Sequence, residues 1–307
     1  MKIKKMPKFW VEKNNILFIL FLPFSLIYLI VLKINSFKQK LTQKDFRIKI
    51  ICVGNIFLGG TGKTPLVKKI YNDLKKKNKC CILKKFSKKQ LDEINLLKKN
   101  SILFSPNKRV DGLKDAESKG YMTVIIDDGM QDYSFKKNVS ILCVKSKYAF
   151  GNEYLLPAGP LREPLKKIKN YDIAVVNGEN NEKINYTLRK NNPRIKIFYS
   201  TYIINNIDTL KGKKFLAFSG IADNQDFFDI LNKNNISVII TEEFSDHHNF
   251  TENEIQKLQK QADEKKIELI TTEKNYNNIP EKFKDKIHYA SLDLNINNYK
   301  EILNEIG

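Results

Sequence analysis

The chain has 307 residues, 42% of them hydrophobic, which leaves room for one large or two medium cores. Lys and Arg number 54 against 34 Asp and Glu, a net charge of +20 that suits anionic partners: nucleotide, nucleic acid or an anionic lipid surface. The excess is spread over the whole chain without a nucleic-acid-binding motif, and the cysteines (Cys52, Cys80, Cys81, Cys143) fall in predicted strands without C-x-x-C spacing, so nucleic-acid recognition, a zinc site and a disulfide framework are all disfavoured.

In chain order, residues 16–32 form an almost unbroken apolar run, interrupted by Pro23 and Ser25 and flanked by Lys13 and Lys33. A helix over it spans roughly 25 Å, short of a hydrocarbon core of about 30 Å, so both a crossing and a dip into one leaflet stay open. The basic start (Lys2, Lys4, Lys5, Lys8) also fits a signal peptide, but the segment after Lys33 lacks a small-x-small cleavage site and a retained anchor is expected. Trp10 and Tyr28 are expected near the membrane interface.

From Arg47 onward, short apolar runs at 48–53, 80–83, 101–104, 122–126, 140–144 and 172–176 alternate with helix-like stretches. This predicts a mostly parallel α/β sheet domain. Residues 177–192 are polar and turn-rich, a plausible boundary, and 195–205 reads as extended chain leading away from the first domain. A smaller α/β domain follows, with strands at 215–218, 238–240 and 268–270 and helices at 224–231 and 252–265. The expected division is a membrane anchor over 1–40, a phosphate-loop domain over 41–196 and a smaller domain over 197–307.

Between the first strand and the helix that begins at Pro65 stands Gly59-Gly60-Thr61-Gly62-Lys63-Thr64. Strand, glycine loop and helix make a phosphate cradle: backbone N–H groups close on a polyphosphate, Lys63 reaches its terminal phosphates and the Thr64 hydroxyl can ligate Mg²⁺. Phe57 occupies the position where G-x-x-x-x-G-K-[ST] carries its first glycine. Asp127-Asp128-Gly129 ends an apolar strand and fits either a metal-nucleotide site or a capped turn. Residues 155–164 hold Arg162 and Glu163 among three prolines, either a rigid platform for transition-state charge and a metal shell or a surface turn with a local ion pair. Asp246-His247-His248 contains two of only three histidines and reads equally as an acid/base pair or a helix cap, whereas His288 is expected to be structural. Thr271-Thr272-Glu273-Lys274 is another polar cluster at a strand end.

Taken in order, Pro7-x-Phe9-Trp10, Val53-Gly54-Asn55 with residues 59–65, Asp127-Asp128-Gly129-x-Gln131, Phe150-Gly151-Asn152, residues 156–164, Val176-Asn177-Gly178, Phe218-Ser219-Gly220-Ile221, Asp246-His247-His248 and residues 271–274 resemble the tetraacyldisaccharide 4′-kinase family of lipid A synthesis. The resemblance covers most of the chain, and in this family the first loop position is not the usual glycine.

The resemblance implies ATP- and Mg²⁺-dependent phosphorylation of the 4′-hydroxyl of an acylated glucosamine disaccharide 1-phosphate, the lipid A disaccharide precursor. Gly59, Gly60, Thr61, Gly62, Lys63, Thr64 and Gln131 would bind nucleotide, and Thr64, Asp128 and Glu163 would hold the metal. Asp127, Asp128, Arg162 and Glu163 would form the catalytic cluster. Asp92, in Leu91-Asp92-Glu93, would be the general base, tuned by His247 on closure of the small domain. The setting implied is a bacterial inner membrane, with the catalytic domains on the cytoplasmic side against an anionic bilayer surface, and no obligate protein partner or nucleic acid. Departures are Lys84-Lys85-Phe86-Ser87 for the family's Ser-Arg-Gly-Tyr, Asp132 for a histidine and Asn275 for an aspartate. A regulatory ATPase of the ParA/MinD type shares the Gly-Gly-x-Gly-Lys-Thr loop but carries a lysine where this chain has Leu58, and its membrane element sits at the other end. A non-enzymatic adaptor binding anionic lipid has no need for Lys63, Asp128 and Arg162 together.

Overall fold

The computed structural model describes residues 7–11, 16–99 and 101–307, so Lys2, Lys4, Lys5 and Lys13 of the expected basic flanks lie outside the described residues. The elements in order are α1 (Lys8–Val11), α2 (Leu17–Leu41), β1 (Lys49–Gly54), α3 (Lys63–Leu74), β2 (Cys80–Lys84), α4 (Leu91–Lys98), β3 (Leu103–Phe104), α5 (Arg109–Ser118), β4 (Thr123–Asp127) and β5 (Val139–Lys145). There follow β6 (Ile173–Asn177), α6 (Glu182–Asn191), β7 (Lys196–Ile204), β8 (Lys214–Ser219), α7 (Asn224–Lys233), β9 (Ser237–Glu243) and α8 (Glu252–Glu264). The chain ends with β10 (Glu268–Thr272), α9 (Glu273–Tyr276), α10 (Glu281–Lys284), β11 (Ile287–Ala290), β12 (Leu292–Ile296) and α11 (Tyr299–Ile306).

Two units divide these elements. The smaller takes residues 87–99 and 202–295, and the larger takes the rest. The chain leaves the larger unit inside β7, near the expected junction at 196/197, but two segments depart from sequence order. Residues 87–99, with α4, belong to the smaller unit, and 296–307 return to the larger.

In the larger unit the strands run β7-β6-β5-β1-β4-β2-β3. The pairings of β1 with β4 and β5, of β2 with β4 and of β5 with β6 are parallel. Ile50, Ile51, Cys52 and Val53 are all buried, the near-continuous apolar pattern of a strand covered on both faces. Helix α3 turns Leu66, Val67, Ile70, Tyr71 and Leu74 onto that sheet, one stripe at helical spacing. One expectation is corrected here. Residues 177–192 are no simple boundary: they contain α6, whose N-cap Asn181 accepts from the Lys183 and Ile184 amides and whose Ile184 and Leu188 enter the core. The extended reading of 195–205 is met by β7, whose first half pairs in parallel with β6 before the chain leaves the larger unit.

The smaller unit has the sheet order β11-β10-β8-β9, with β8 and β10 adjacent at the point where the order reverses. Phe215 and Ala217 of β8 enter one apolar cluster and Leu216 and Phe218 the other, as alternation on a strand requires. Loops at the carboxyl ends of β8, β9 and β10 therefore gather at one edge, where open α/β sheets place their ligands.

Candidate active site

Register builds the first cluster, in the larger unit. Val53 pairs with Asp127 and Lys84 pairs with Asp127, so the carboxyl ends of β1, β4 and β2 stand in one row below the glycine loop. Gly62 caps α3 at φ 85°, a left-handed conformation that glycine adopts without strain, and Lys63 and Thr64 open the helix. Thr64 Oγ1 donates to Asp127 Oδ2 at 3.0 Å, and Lys84 Nζ lies 2.8 Å from the same oxygen. Both Lys84 and Asp127 are buried, a pair whose rupture costs about 3–5 kcal/mol.

Asp128, one residue on, lies beyond the end of β4 in a turn and takes different partners. It sits at φ 58°, and its carboxylate accepts from Arg162 Nη1 at 3.0 and 3.1 Å. The same guanidinium donates to Asn55 Oδ1 at 2.9 Å and to Gln131 Oε1 at 2.7 Å, which fixes its plane. Burial works to raise the Asp128 carboxyl, but Lys63 and Arg162 outweigh it and hold it down to about 2. Glu163 accepts from Gln131 Nε2 at 2.9 Å and from the Tyr133 phenol at 2.7 Å.

These contacts redistribute the expected roles. The metal set Thr64, Asp128 and Glu163 is not brought together: Arg162 holds Asp128, neutral donors hold Glu163, and Thr64 meets Asp127 instead. Among the described residues no cluster of three or more His, Cys, Asp or Glu is arranged to hold a metal. Mg²⁺ keeps several waters and needs only one or two protein oxygens beside substrate phosphates. Asp127 Oδ1, buried with no hydrogen-bond partner, and Thr64 Oγ1 fit that demand. Gln131, expected beside the nucleotide, has both ends of its amide engaged by Arg162, Glu163 and the Asn55 carbonyl. Thr61, also expected beside the nucleotide, is buried, and its hydroxyl oxygen accepts from Asn55 Nδ2 at 3.0 Å.

Phe57 is buried and takes part in an antiparallel bridge with Leu161. Around that bridge, Leu58 N donates to Pro160 O at 2.8 Å and Arg162 N to Ile56 O at 2.7 Å, so the phosphate loop and the proline-rich segment are one structure. At Gly159 a Cβ would stand 2.2 Å from Asn152 Oδ1 and 2.3 Å from Tyr154 O, which explains glycine in that turn. Trp10 is not at an interface: it is buried and donates Nε1–H to Pro157 O at 2.9 Å. Tyr28 donates to Arg162 O at 3.1 Å.

The second cluster lies wholly in the smaller unit. Asp92, on the first turn of α4 and only 5% exposed, faces His247 Nδ1 at 2.8 Å and Lys274 Nζ at 3.0 Å. Lys274 stands at the start of α9, just beyond β10, and also lies 3.6 Å from Asp246 and 3.8 Å from Glu93. His247 adopts φ 56°. Desolvation pushes the Asp92 carboxyl up, yet the His247 hydrogen bond and the Lys274 charge overrule it and hold it down to about 2. That hydrogen bond raises His247 above 6.5 against desolvation and the Lys274 charge. The pair needs no domain closure to meet, because α4 belongs to the same unit as His247. Lys274 is the partner that sequence reasoning did not assign; its place directly after an apolar strand was the available signal.

The remaining candidates are structural. His248 pairs with Glu254 at 3.1 Å among Phe244 and Phe250, and His288 pairs with Glu268. Asn275, in place of the family's aspartate, is buried; it accepts from Gly220 N at 2.9 Å and donates to Gly220 O at 3.3 Å, tying the ends of β8 and β10 together. Asp132 pairs with Arg109 at 3.3 Å. All four cysteines are free and buried, and burial pushes the Cys52 and Cys143 thiols up to about 12.

The family model described as tetraacyldisaccharide-1-P 4′-kinase matches residues 17–85 and 87–306. A tetraacyldisaccharide 4′-kinase of Pelagibacter ubique is 38% identical over 311 residues, covering 100% of this chain and 98% of the relative. One from Rickettsia akari is 32% identical over 324 residues, covering 97% and 95%. Among solved structures, LpxK from Aquifex aeolicus in complex with ATP aligns with a TM-score of 0.71 at 25% identity, over 94% of this chain and 98% of that one. Matched by the family model and by these relatives along nearly its whole length, this chain belongs to the tetraacyldisaccharide-1-P 4′-kinase family and is a kinase.

Proposed function

We propose that the protein transfers the γ-phosphoryl group of ATP to the 4′-hydroxyl of a tetraacylated glucosamine disaccharide 1-phosphate, giving the bis-phosphorylated lipid A precursor. The observation that carries this reading is the nearly buried Asp92 carboxylate held as an anion by His247 and Lys274. A nucleotide-driven switch has no use for such a group, whereas a kinase acting on an alcohol does. In the transfer the acceptor oxygen forms a bond to the γ-phosphorus, the bond to the β–γ bridging oxygen breaks, ADP leaves and the hydroxyl proton passes to Asp92. A carboxylate held near 2 is ionised throughout the physiological range, so it orients the hydroxyl and takes its proton as the new O–P bond makes that proton acidic.

Lys63 and the loop amides hold the β- and γ-phosphates, and Arg162, fixed by Asp128, Asn55 and Gln131, faces the charge on the transferring group. Mg²⁺, held by Thr64 and Asp127, would neutralise phosphate charge. Asp128 and Glu163 serve as anchors for Arg162 and Gln131 rather than as metal ligands.

The acceptor's acyl chains stay in the bilayer because each exposed CH₂ costs about 0.8 kcal/mol, so the enzyme works at the membrane. Helix α2 has 25 residues with mean hydropathy 2.5 over its most apolar window, and apart from Ser25 its residues are exposed or half-buried. Ser25, near the middle of the apolar run, bonds to the backbone of residues 155–158. A helix crossing with that run centred in the bilayer would bury the Arg162 segment in hydrocarbon, where irregular backbone and charge are not tolerated. The reading this supports is a helix in one leaflet of a bacterial inner membrane, with the ATP-binding side cytoplasmic and the net positive charge against an anionic surface.

The test is transfer of radiolabel from γ-labelled ATP to acylated disaccharide 1-phosphate in detergent. Wild type labels the lipid and Lys63→Ala loses on the order of 10²–10³-fold in rate. No label in the lipid removes the kinase reading, and full activity in Asp92→Asn removes the assignment of the base.

A further inference from the structure

Helix α2 is almost all apolar over residues 17–32, yet its single buried residue is a serine. Ser25 Oγ donates to Leu155 O at 2.8 Å and accepts from Ala158 N at 3.0 Å, so both capacities of the hydroxyl are used on one turn of the proline-rich segment. Three residues on, hence on the same helix face, Tyr28 donates to the carbonyl of Arg162 itself. The short helix α1 adds Trp10 Nε1 to Pro157 O, and Asn152 Nδ2 donates to both Phe9 O and Ala158 O at 2.9 Å. On its other side the same segment is bonded to the phosphate loop through Leu58 N to Pro160 O and Arg162 N to Ile56 O.

We propose that α2 is a brace for the reaction centre as well as a membrane anchor. Ser25 and Tyr28 are positioning residues that set the Leu155–Arg162 segment, and through it the Arg162 guanidinium and the edge of the phosphate loop. A tether alone would need neither hydroxyl: an all-apolar helix would bind lipid better. The two hydroxyls are spent on the backbone that carries Arg162. Placement matters there because a misplacement of about 1 Å in a transfer site costs on the order of 100-fold.

The inference rests on the kinase reading for its consequence in rate but not for its structural part, and the experiment separates the two. Full-length Ser25→Ala, Tyr28→Phe, the double variant and Ser25→Thr are compared in lipid–detergent micelles. Hydrogen exchange over residues 155–164 reads the brace without turnover: uptake rises in the double variant and stays near wild type in Ser25→Thr, which keeps the hydroxyl. Turnover reads the consequence. In the double variant kcat falls on the order of 10–100-fold with the KM for ATP and vesicle association within twofold of wild type, and Ser25→Thr recovers most of the loss. Unchanged exchange in the double variant overturns the brace whatever the activity. Raised exchange with unchanged kcat overturns its role in catalysis, as does a loss of rate that tracks only vesicle release. If the double variant does not fold, Tyr28→Phe alone decides by the same two readouts. A wild-type protein that labels no lipid, with the exchange difference intact, defeats the kinase reading and leaves the brace standing.

Discussion

His247 and Asp128 both hold left-handed backbone, at φ 56° and 58°, a region that costs a non-glycine residue about 1–3 kcal/mol and persists only where surrounding contacts enforce it. In each case the side chain is held in a close pair: His247 with Asp92, and Asp128 with Arg162. The Asp92 pair makes a titration prediction. The Asp92 carboxyl is lowered from 3.8, so its stabilisation is complete above that value and is lost as pH falls through about 2. His247 is raised from 6.5, so its contribution is complete below 6.5 and is lost as pH rises through the raised value. The pair therefore contributes most between roughly 4 and 6.5. With only three histidines in the chain, His247 is assignable by NMR from the resonance missing in His247→Gln. Asp92→Asn should lower its pKa, and Lys274→Ala should raise it, since the lysine charge opposes the imidazolium. Movement of either in the opposite direction would show that the cluster is wired differently.

At the scale of elements, the phosphate loop shows how a departure from a motif is explained by what lies beside it. Phe57 stands where the general pattern has glycine, and the structure buries its ring against Tyr148, with ring centroids 6.3 Å apart, in a bridge to Leu161. Phe57→Gly, which restores the general motif, should therefore destabilise the protein by at least about 3–5 kcal/mol, the cost of emptying a buried phenylalanine site. Urea unfolding midpoints measure this; an unchanged midpoint with tighter nucleotide binding would return the residue to the status of a loop variant. The loop itself was legible from strand, glycines and helix in local order. Helix α6 was not, because Glu, Lys and Asn outnumber its few apolar positions and only packing of Ile184 and Leu188 reveals which face is inner. Strand β7 was legible only as extended chain: its partly exposed residues give no buried pattern, and its place in the sheet comes from hydrogen bonds to β6.

For the whole molecule, the position of α2 makes a topological prediction. A helix lying in one leaflet leaves both its ends on the same side. Lys8→Cys and Lys38→Cys, both exposed, should each react with an impermeant maleimide from the cytoplasmic side only, against a low background because the native cysteines are buried. Labelling from opposite sides would establish a crossing and contradict the reading drawn from Ser25. The sequence by itself determined the α/β class, the phosphate loop, the apolar helix, the strand-end carboxylates and the family, because each is written in local order, periodicity or motif. It could not determine which carboxylate serves which cation. Asp127 ends β4 and Asp128 begins the turn after it, and Thr64 and Lys84 take one while Arg162 takes the other. Asp92 and His247 are 155 positions apart yet share one unit, with Lys274 completing the cluster. Those assignments, and the fastening of the apolar helix to the Arg162 segment, belong to the tertiary structure. They depend on side chains far apart in sequence being desolvated together, and no local pattern encodes that.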